Sequence, residues 1–180
     1  MKKKDIIIGI LVITFICGIS GFLLAQVYNT TKPKIEEIKK QEEEKLNKEI
    51  FPEGVKFEEK EIKGIKYFSV LNKNEEEIGK IFEVKTMGYG GYITVKVGID
   101  NENKIKKIKI KEHNETPGLG SKITQDSFLN QFTGKTKDEI YLKKDKTDGK
   151  IDSITGATIS SRAVTDGVRK LLENIAKESK

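Results

Sequence analysis

The chain has 180 residues, 36% hydrophobic and 34% charged, with a formal net charge of +6, which is room for one globular domain of about 100 to 200 residues and little more. Its single cysteine, Cys17, and single histidine, His113, exclude an internal disulfide, a four-cysteine iron–sulfur site, a cysteine/histidine zinc site and a c-type haem attachment within this chain. Its lysines interleave with glutamates over 32–66 and alternate with isoleucines over 104–111, without aromatic-basic clusters or finger spacing, so nucleic acid is not an expected partner.

Residues 6–27 carry no charged side chain and are rich in isoleucine and leucine. At about 1.5 Å per residue the run can cross a hydrocarbon core of about 30 Å, which predicts one transmembrane helix in an anchor at 1–28. Lys2, Lys3 and Lys4 precede it as in a signal peptide, but the apolar run exceeds a signal core and no small-x-small site follows, so the anchor is expected to stay uncleaved. Ile16 stands before Cys17 where a lipoprotein site needs a small residue. Lysines flank both ends, with Lys32, Lys34, Lys39 and Lys40 after the span, so charge alone leaves the orientation open. The span offers no ionisable group besides Cys17, so it has little to build an ion path from.

Residues 29–54 are charged, with Ile35, Ile38, Leu46 and Ile50 on an imperfect helical stripe, and read as a helical stalk closed by Pro52 and Gly54. Residues 55–180 read as one domain. Alternation predicts strands over 55–61, 65–71, 78–85, 92–99 and 104–111, with a turn at 72–74. In the last two, joined by a turn at 100–103, Ile93, Val95, Val97 and Ile99 share a face with Ile108 and Ile110 opposite, an antiparallel hairpin with one buried side. A short helix is predicted over 121–132, and a longer one over 160–177 with Val164, Val168, Leu171, Leu172 and Ile175 on one face. Strands followed by segregated helices make an α+β fold: a single membrane helix, then one domain with an antiparallel sheet and flanking helices.

The stretch that carries chemistry is Asp152-Ser153-Ile154-Thr155-Gly156-Ala157-Thr158, followed by Ile159-Ser160-Ser161-Arg162-Ala163-Val164. Small hydroxyl residues, a glycine and an alanine leave the backbone open where the last helix begins, and a helix start with unpaired N–H groups suits a phosphate. Taken alone, the same residues also suit an ordinary capping turn. Upstream lie Gly88-Tyr89-Gly90-Gly91-Tyr92 and His113-Asn114-Glu115-Thr116-Pro117-Gly118-Leu119-Gly120. The first fits a bend before a strand. The second fits a rigid loop in which Pro117 fixes its own backbone and Gly118 and Gly120 permit positive φ.

Together these stretches resemble the G subunit of the Rnf ion-translocating oxidoreductase and the C subunit of the Na+-translocating NADH:quinone reductase. Asp-x-x-(Ser/Thr)-Gly-Ala-Thr is similar to their flavinylation motif, and His-x-Glu-Thr-Pro-Gly-Leu-Gly to a segment characteristic of the family. The length of 180 residues favours the shorter Rnf protein. The resemblance implies FMN joined through its phosphate to the hydroxyl of Thr158, by a separate flavin transferase that uses FAD and recognises Asp152, Thr155, Gly156, Ala157 and Thr158. It further implies a cofactor pocket drawn from Glu115, Thr116, Gly118, Leu119, Tyr92, Thr155, Gly156 and Ala157. Thr116 and Leu119 would touch the ring, and Tyr92 would stack near it or simply pack in the core.

The function implied is that of an electron-transfer subunit in a cell-membrane complex that couples ferredoxin/NAD electron transfer to sodium or proton transport. The chain would cross the membrane once, with its C-terminal domain outside the cytoplasm. Its partners would be the other subunits, the membrane and, during maturation, the flavin transferase. No catalytic residue and no metal ligand is assigned, and no independent activity is expected. His113 reads equally as a structural or a pH-sensitive contact, and the lysines of 104–111 as a solvated face, with docking to a partner subunit as the second reading. Two alternatives stand beside this reading: a free-standing extracytoplasmic FMN carrier, and a membrane-tethered scaffold subunit without cofactor.

Overall fold

The computed structural model describes residues 3–62 and 64–178; Lys2, from the basic run ahead of the anchor, lies outside them. The chain divides into two units, Met1–Glu43 and Glu44–Lys180. Helix α1, Lys3–Ile50, runs through the segments read as anchor and as stalk, with Pro33 inside it.

In the first unit the apolar side chains from Ile6 to Val27 are exposed, and an 18-residue window has a mean hydropathy of 2.7 with none of it buried. Apolar surface left in water costs about 25 cal/mol per Å², which a bilayer removes. The helix is long and apolar enough to cross a membrane once. Thr14 Oγ1 donates to the Ile10 carbonyl at 2.9 Å, so its hydroxyl is satisfied within the helix.

The second unit is built on a five-stranded antiparallel sheet in sequence order: β1 Lys56–Ile62, β2 Ile65–Leu71, β3 Glu77–Met87, β4 Tyr92–Asp100 and β5 Ile105–His113. The turns after β2 and β4 share one device. Asn72 Oδ1 accepts the N–H groups of Asn74 and Glu76, and Asp100 Oδ1 accepts those of Glu102 and Lys104. Glu75 and Asn103 supply the left-handed residue. The front of the sheet is covered by α3, Thr158–Glu178, whose Val164, Val168, Leu171 and Leu172 bury against Val95, Val97, Ile99 and Phe82. Each such side chain contributes about 1.5–3 kcal/mol. Gly167 lets α3 lie close to β3, where an added Cβ would sit 3.2 Å from Thr86.

Four expectations need correction. First, β4 of the β4–β5 hairpin is buried on both sides. Thr94, Lys96 and Gly98 are covered along with Ile93, Val95, Val97 and Ile99, because the last turn of α1 and Phe51 pack on the back of the sheet with Val70 and Ile81. Gly79 and Gly98 leave the depression that accepts Phe51; a Cβ on either would meet its ring, at 2.5 and 2.9 Å. The buried Lys96 ammonium donates to Asn47 Oδ1 at 2.7 Å and lies 4.8 Å from the Phe68 ring centre.

Second, a register shift opposite Gly98/Ile99 turns both Ile105 and Ile108 into the core, which strict alternation could not show. Third, the lysines of β5 are not simply solvated: Lys109 pairs with Glu49 at 3.0 Å and Lys111 with Glu83 at 2.7 Å. The hydrogen bond that Lys109 donates to Glu49 raises its ammonium above the usual lysine range. Fourth, residues 121–132 are not one helix. Gln125 is extended and splits them into 3-10 turns at Gly120–Thr124 and Asn130–Phe132 around the single turn α2, Asp126–Leu129.

Candidate functional site

The motif begins at Asp152, held where the chain passes the 3-10 turns. Its N–H donates to Gln131 Oε1 at 2.6 Å, and its carboxylate pairs with Lys143 at 2.8 Å. Ile154 to Ala157 then form a tight turn closed by the Ala157 N–H on the Ile154 carbonyl at 3.0 Å. Gly156 has φ +79°, the left-handed conformation that the third position of a type II turn demands and that glycine adopts without strain.

Ser161 ties this turn to α3. Its hydroxyl accepts the Ile154 N–H at 3.0 Å and donates to the Ala157 carbonyl at 2.9 Å. The Ser161 N–H also donates to Ala157 O, so the N–H groups of Thr158, Ile159 and Ser160 lie ahead of the helical ladder. The half-buried Thr158 is thus the first residue of a 21-residue helix, at the end that favours negative charge.

Facing it is the 113–120 loop. Glu115 is 5% exposed. One carboxylate oxygen accepts the Gly90 N–H at 3.1 Å and the other accepts the Ser160 hydroxyl at 2.5 Å. This one side chain joins the glycine segment before β4, its own loop and the first turn of α3. His113 Nδ1 accepts the Glu115 N–H at 3.2 Å, a structural contact. Gly118 has φ +77° and its N–H donates to Ser121 Oγ at 2.9 Å. Gly120, expected to share that conformation, has no positive φ. Its need for glycine is steric, since a Cβ would strike the Glu115 side chain and reach Ser160 Oγ at 3.0 Å. Gly90 likewise faces the Asn114 backbone without room for a Cβ.

Between these segments lies a cavity of about 490 Å³, within the size range of cofactor pockets, about 300–1,000 Å³. Of the residues singled out in the sequence, Glu115, Thr116, Leu119, Gly156, Ala157 and Thr158 line it. Gly118, Tyr92, Thr155 and Asp152 do not; Tyr92 is exposed, with the Lys85 ammonium 4.5 Å from its ring centre. Tyr89, Gly120, Ile159 and Ser160 line it without having been singled out. Ser160 and Ile159 adjoin Thr158 in sequence, and Tyr89 and Gly120 sit inside the quoted motifs, so adjacency was the available signal.

The lining fits a flavin phosphate ester. A helix start and a threonine hydroxyl stand at one end, while Tyr89 and Leu119, 72% and 48% exposed, offer apolar surface that a planar ring would cover. Glu115 and Thr116 supply polar atoms beside it.

Residues 88–173 match the FMN-binding domain family. Over 164 residues the chain is 35% identical to the G subunit of the proton-translocating ferredoxin:NAD(+) oxidoreductase complex of Clostridium ljungdahlii, covering 91% of this chain and 88% of that protein. Over 190 residues it is 34% identical to the G subunit of the Na(+)-translocating ferredoxin:NAD(+) oxidoreductase complex of Acetobacterium woodii, covering 93% and 91%. The crystal structure of the C subunit of the Na(+)-translocating NADH-quinone reductase from Parabacteroides distasonis aligns with a TM-score of 0.50 at 24% identity, over 63% of this chain and 61% of that one, a likeness of fold. By these relations the chain belongs to the Rnf-type G-subunit family of ion-translocating oxidoreductase complexes, single-pass electron-transfer subunits with an FMN-binding domain.

Proposed function

We propose that the chain carries FMN as a phosphoester on Thr158 and passes electrons between neighbouring carriers of a complex that couples ferredoxin/NAD electron transfer to sodium or proton transport. The observation that carries this reading is the position of Thr158: a helix-starting hydroxyl on the wall of the 490 Å³ cavity, opposite the Glu115 loop. In the attachment step the Thr158 oxygen bonds to the flavin-side phosphorus of FAD and the bond to AMP breaks. The hydroxyl proton is released, with a flavin transferase as catalyst and partner. The exposed Asp152, Thr155 and Gly156 lie on the accessible side of the motif turn, which suits recognition by that enzyme.

When bound, FMN supplies reversible electron uptake. The chain's own residues do the rest. The first turn of α3 offers N–H groups and a partial positive charge to the phosphate. Leu119, Thr116 and Tyr89 would border the ring, and Glu115 holds the loop against the helix. The domain is assigned to the extracytoplasmic side, where a covalent link prevents loss of a dissociated flavin. The anchor, the charged segment to residue 54 and the domain from residue 55 are assigned to membrane, spacer and redox roles.

Coexpression of the full chain with a flavin transferase, followed by denaturing electrophoresis, tests the linkage. Flavin fluorescence on the parent band and none on Thr158→Ala is the expected result. A dark parent band, under conditions where a control substrate is labelled, would refute the covalent reading.

A further inference from the structure

The flavin cavity adjoins a second groove that the proposed chemistry leaves unused. It lies between β3 and the first half of α3, encloses about 490 Å³, and has Val84, Met87 and Ala163 in its lining together with Ile159, which also lines the flavin cavity. Met87 is 58% and Ile159 52% exposed. Among the described residues after α1, the exposed large apolar side chains are Met87 and Ile159 in this groove, Tyr89 and Leu119 in the adjoining cavity, and, lining neither, Tyr92, Val55 and Ile62. Water-facing surfaces rarely keep apolar patches of this kind unless something binds there.

The rim of the groove is positively charged. Arg162 pairs with Asp145 at 2.6 Å, and Arg169 is shared by Asp166 at 3.0 Å and Glu173 at 2.7 Å. The other two charged lining residues, Lys85 and Lys170, have no carboxylate partner among the described residues. Lys85 stands over the Tyr92 ring, which holds its charge at the surface.

We propose that this groove is the docking surface for an acidic segment of a neighbouring redox subunit, inserted by an apolar side chain at its tip and so brought to the edge of the flavin cavity. The proposal rests on the reading that the adjoining cavity holds the flavin. A second copy of this chain is a poor occupant, since a symmetric contact would set Lys85 and Lys170 against like charges. A bilayer is flat, whereas a slot between a strand and a helix accepts a protruding turn. Acidic groups on the partner would complement the two lysines and steer the encounter.

The test uses the assembled membrane complex with a photoreactive aromatic residue in place of Met87. Cross-links are expected to map to an acidic stretch of another subunit. Lys85→Glu with Lys170→Glu should cut the cross-link yield and slow flavin reduction on the order of tenfold at low ionic strength, a gap that narrows as salt is added. Lys85→Gln with Lys170→Gln should fall between, and all variants should keep the parent's thermal midpoint. Cross-links to lipid, to a second copy or to no subunit would overturn the proposal, as would charge reversal that alters neither yield nor rate. Cross-linking needs no flavin: a dark parent band refutes the Thr158 reading alone, and a fluorescent band without cross-links refutes docking alone.

Discussion

Replacing Glu115 by alanine removes the one side chain that bonds both the Gly90 N–H and the Ser160 hydroxyl. Gly90 is exposed and water can take over its N–H, but Ser160 is 1% exposed. A buried hydroxyl stripped of its acceptor costs about 1–3 kcal/mol, and the lost charge-assisted bond lies at the upper end of that range. Glu115→Ala should therefore destabilise the domain by about 2–3 kcal/mol, lowering the thermal midpoint by about 5–10 °C. Glu115→Gln keeps the shape and one acceptor and should lose about 1 kcal/mol. The assay is thermal unfolding of the full chain in detergent, followed by near-ultraviolet circular dichroism of its tyrosines; Tyr67, stacked on Phe82 at 5.3 Å, reports on the core. Adding Ser160→Ala to Glu115→Ala should cost little more than Glu115→Ala alone, because the pair shares one bond. An alanine variant within about 0.5 kcal/mol of the parent, or a fully additive double variant, would show that Glu115 does not hold these segments together.

Three further outcomes are expected. Gly98→Val drives methyl groups into Ile50 and Phe51 and should cost about 1–3 kcal/mol by overpacking; an unchanged unfolding midpoint would contradict the described seat of Phe51. Asn47→Ala removes the 2.7 Å bond from the buried Lys96 and should cost about 1.5–3 kcal/mol in the same assay, whereas a neutral result would mean the contact is dispensable. The hydrogen bond from Arg162 holds the Asp145 carboxyl below its usual range of 3.8. A carboxyl depressed in the folded state stabilises above its unfolded value and loses that contribution as pH falls through the folded one. Parent and Asp145→Asn should therefore differ slightly at neutral pH, since the pair is partly exposed, and converge as the pH falls through the folded-state value. A difference that persists below that value would assign the effect to something other than this ion pair.

The back face of the sheet shows why local pattern was insufficient. Lys96 and Gly98 read as solvent-facing residues of an alternating strand, because nothing near them in sequence announces that Asn47, Ile50 and Phe51 return to cover them. A register shift opposite Gly98/Ile99 also turns Ile105 into the core, which the local pattern of residues 104–111 does not show. The segment over 121–132 failed for a different reason: Gln125 adopts an extended backbone that its residue type does not demand.

By itself the sequence determined the features that rest on local covalent chemistry and composition. These are an uncharged run able to span a bilayer, a small-residue turn with Gly156 ahead of the last helix, and a cysteine and histidine count too low for a four-cysteine iron–sulfur or cysteine/histidine zinc site. The α+β layering followed from periodicity in the same way. Tertiary structure decided what depends on residues far apart in the chain. Only the fold brings Glu115 to Ser160, 45 positions on, and sets Tyr89 and Ile159 around one cavity while leaving Tyr92 outside it. Local backbone preferences act over a few residues, whereas a binding cavity is made by sheet register and helix packing, which burial of the whole core selects.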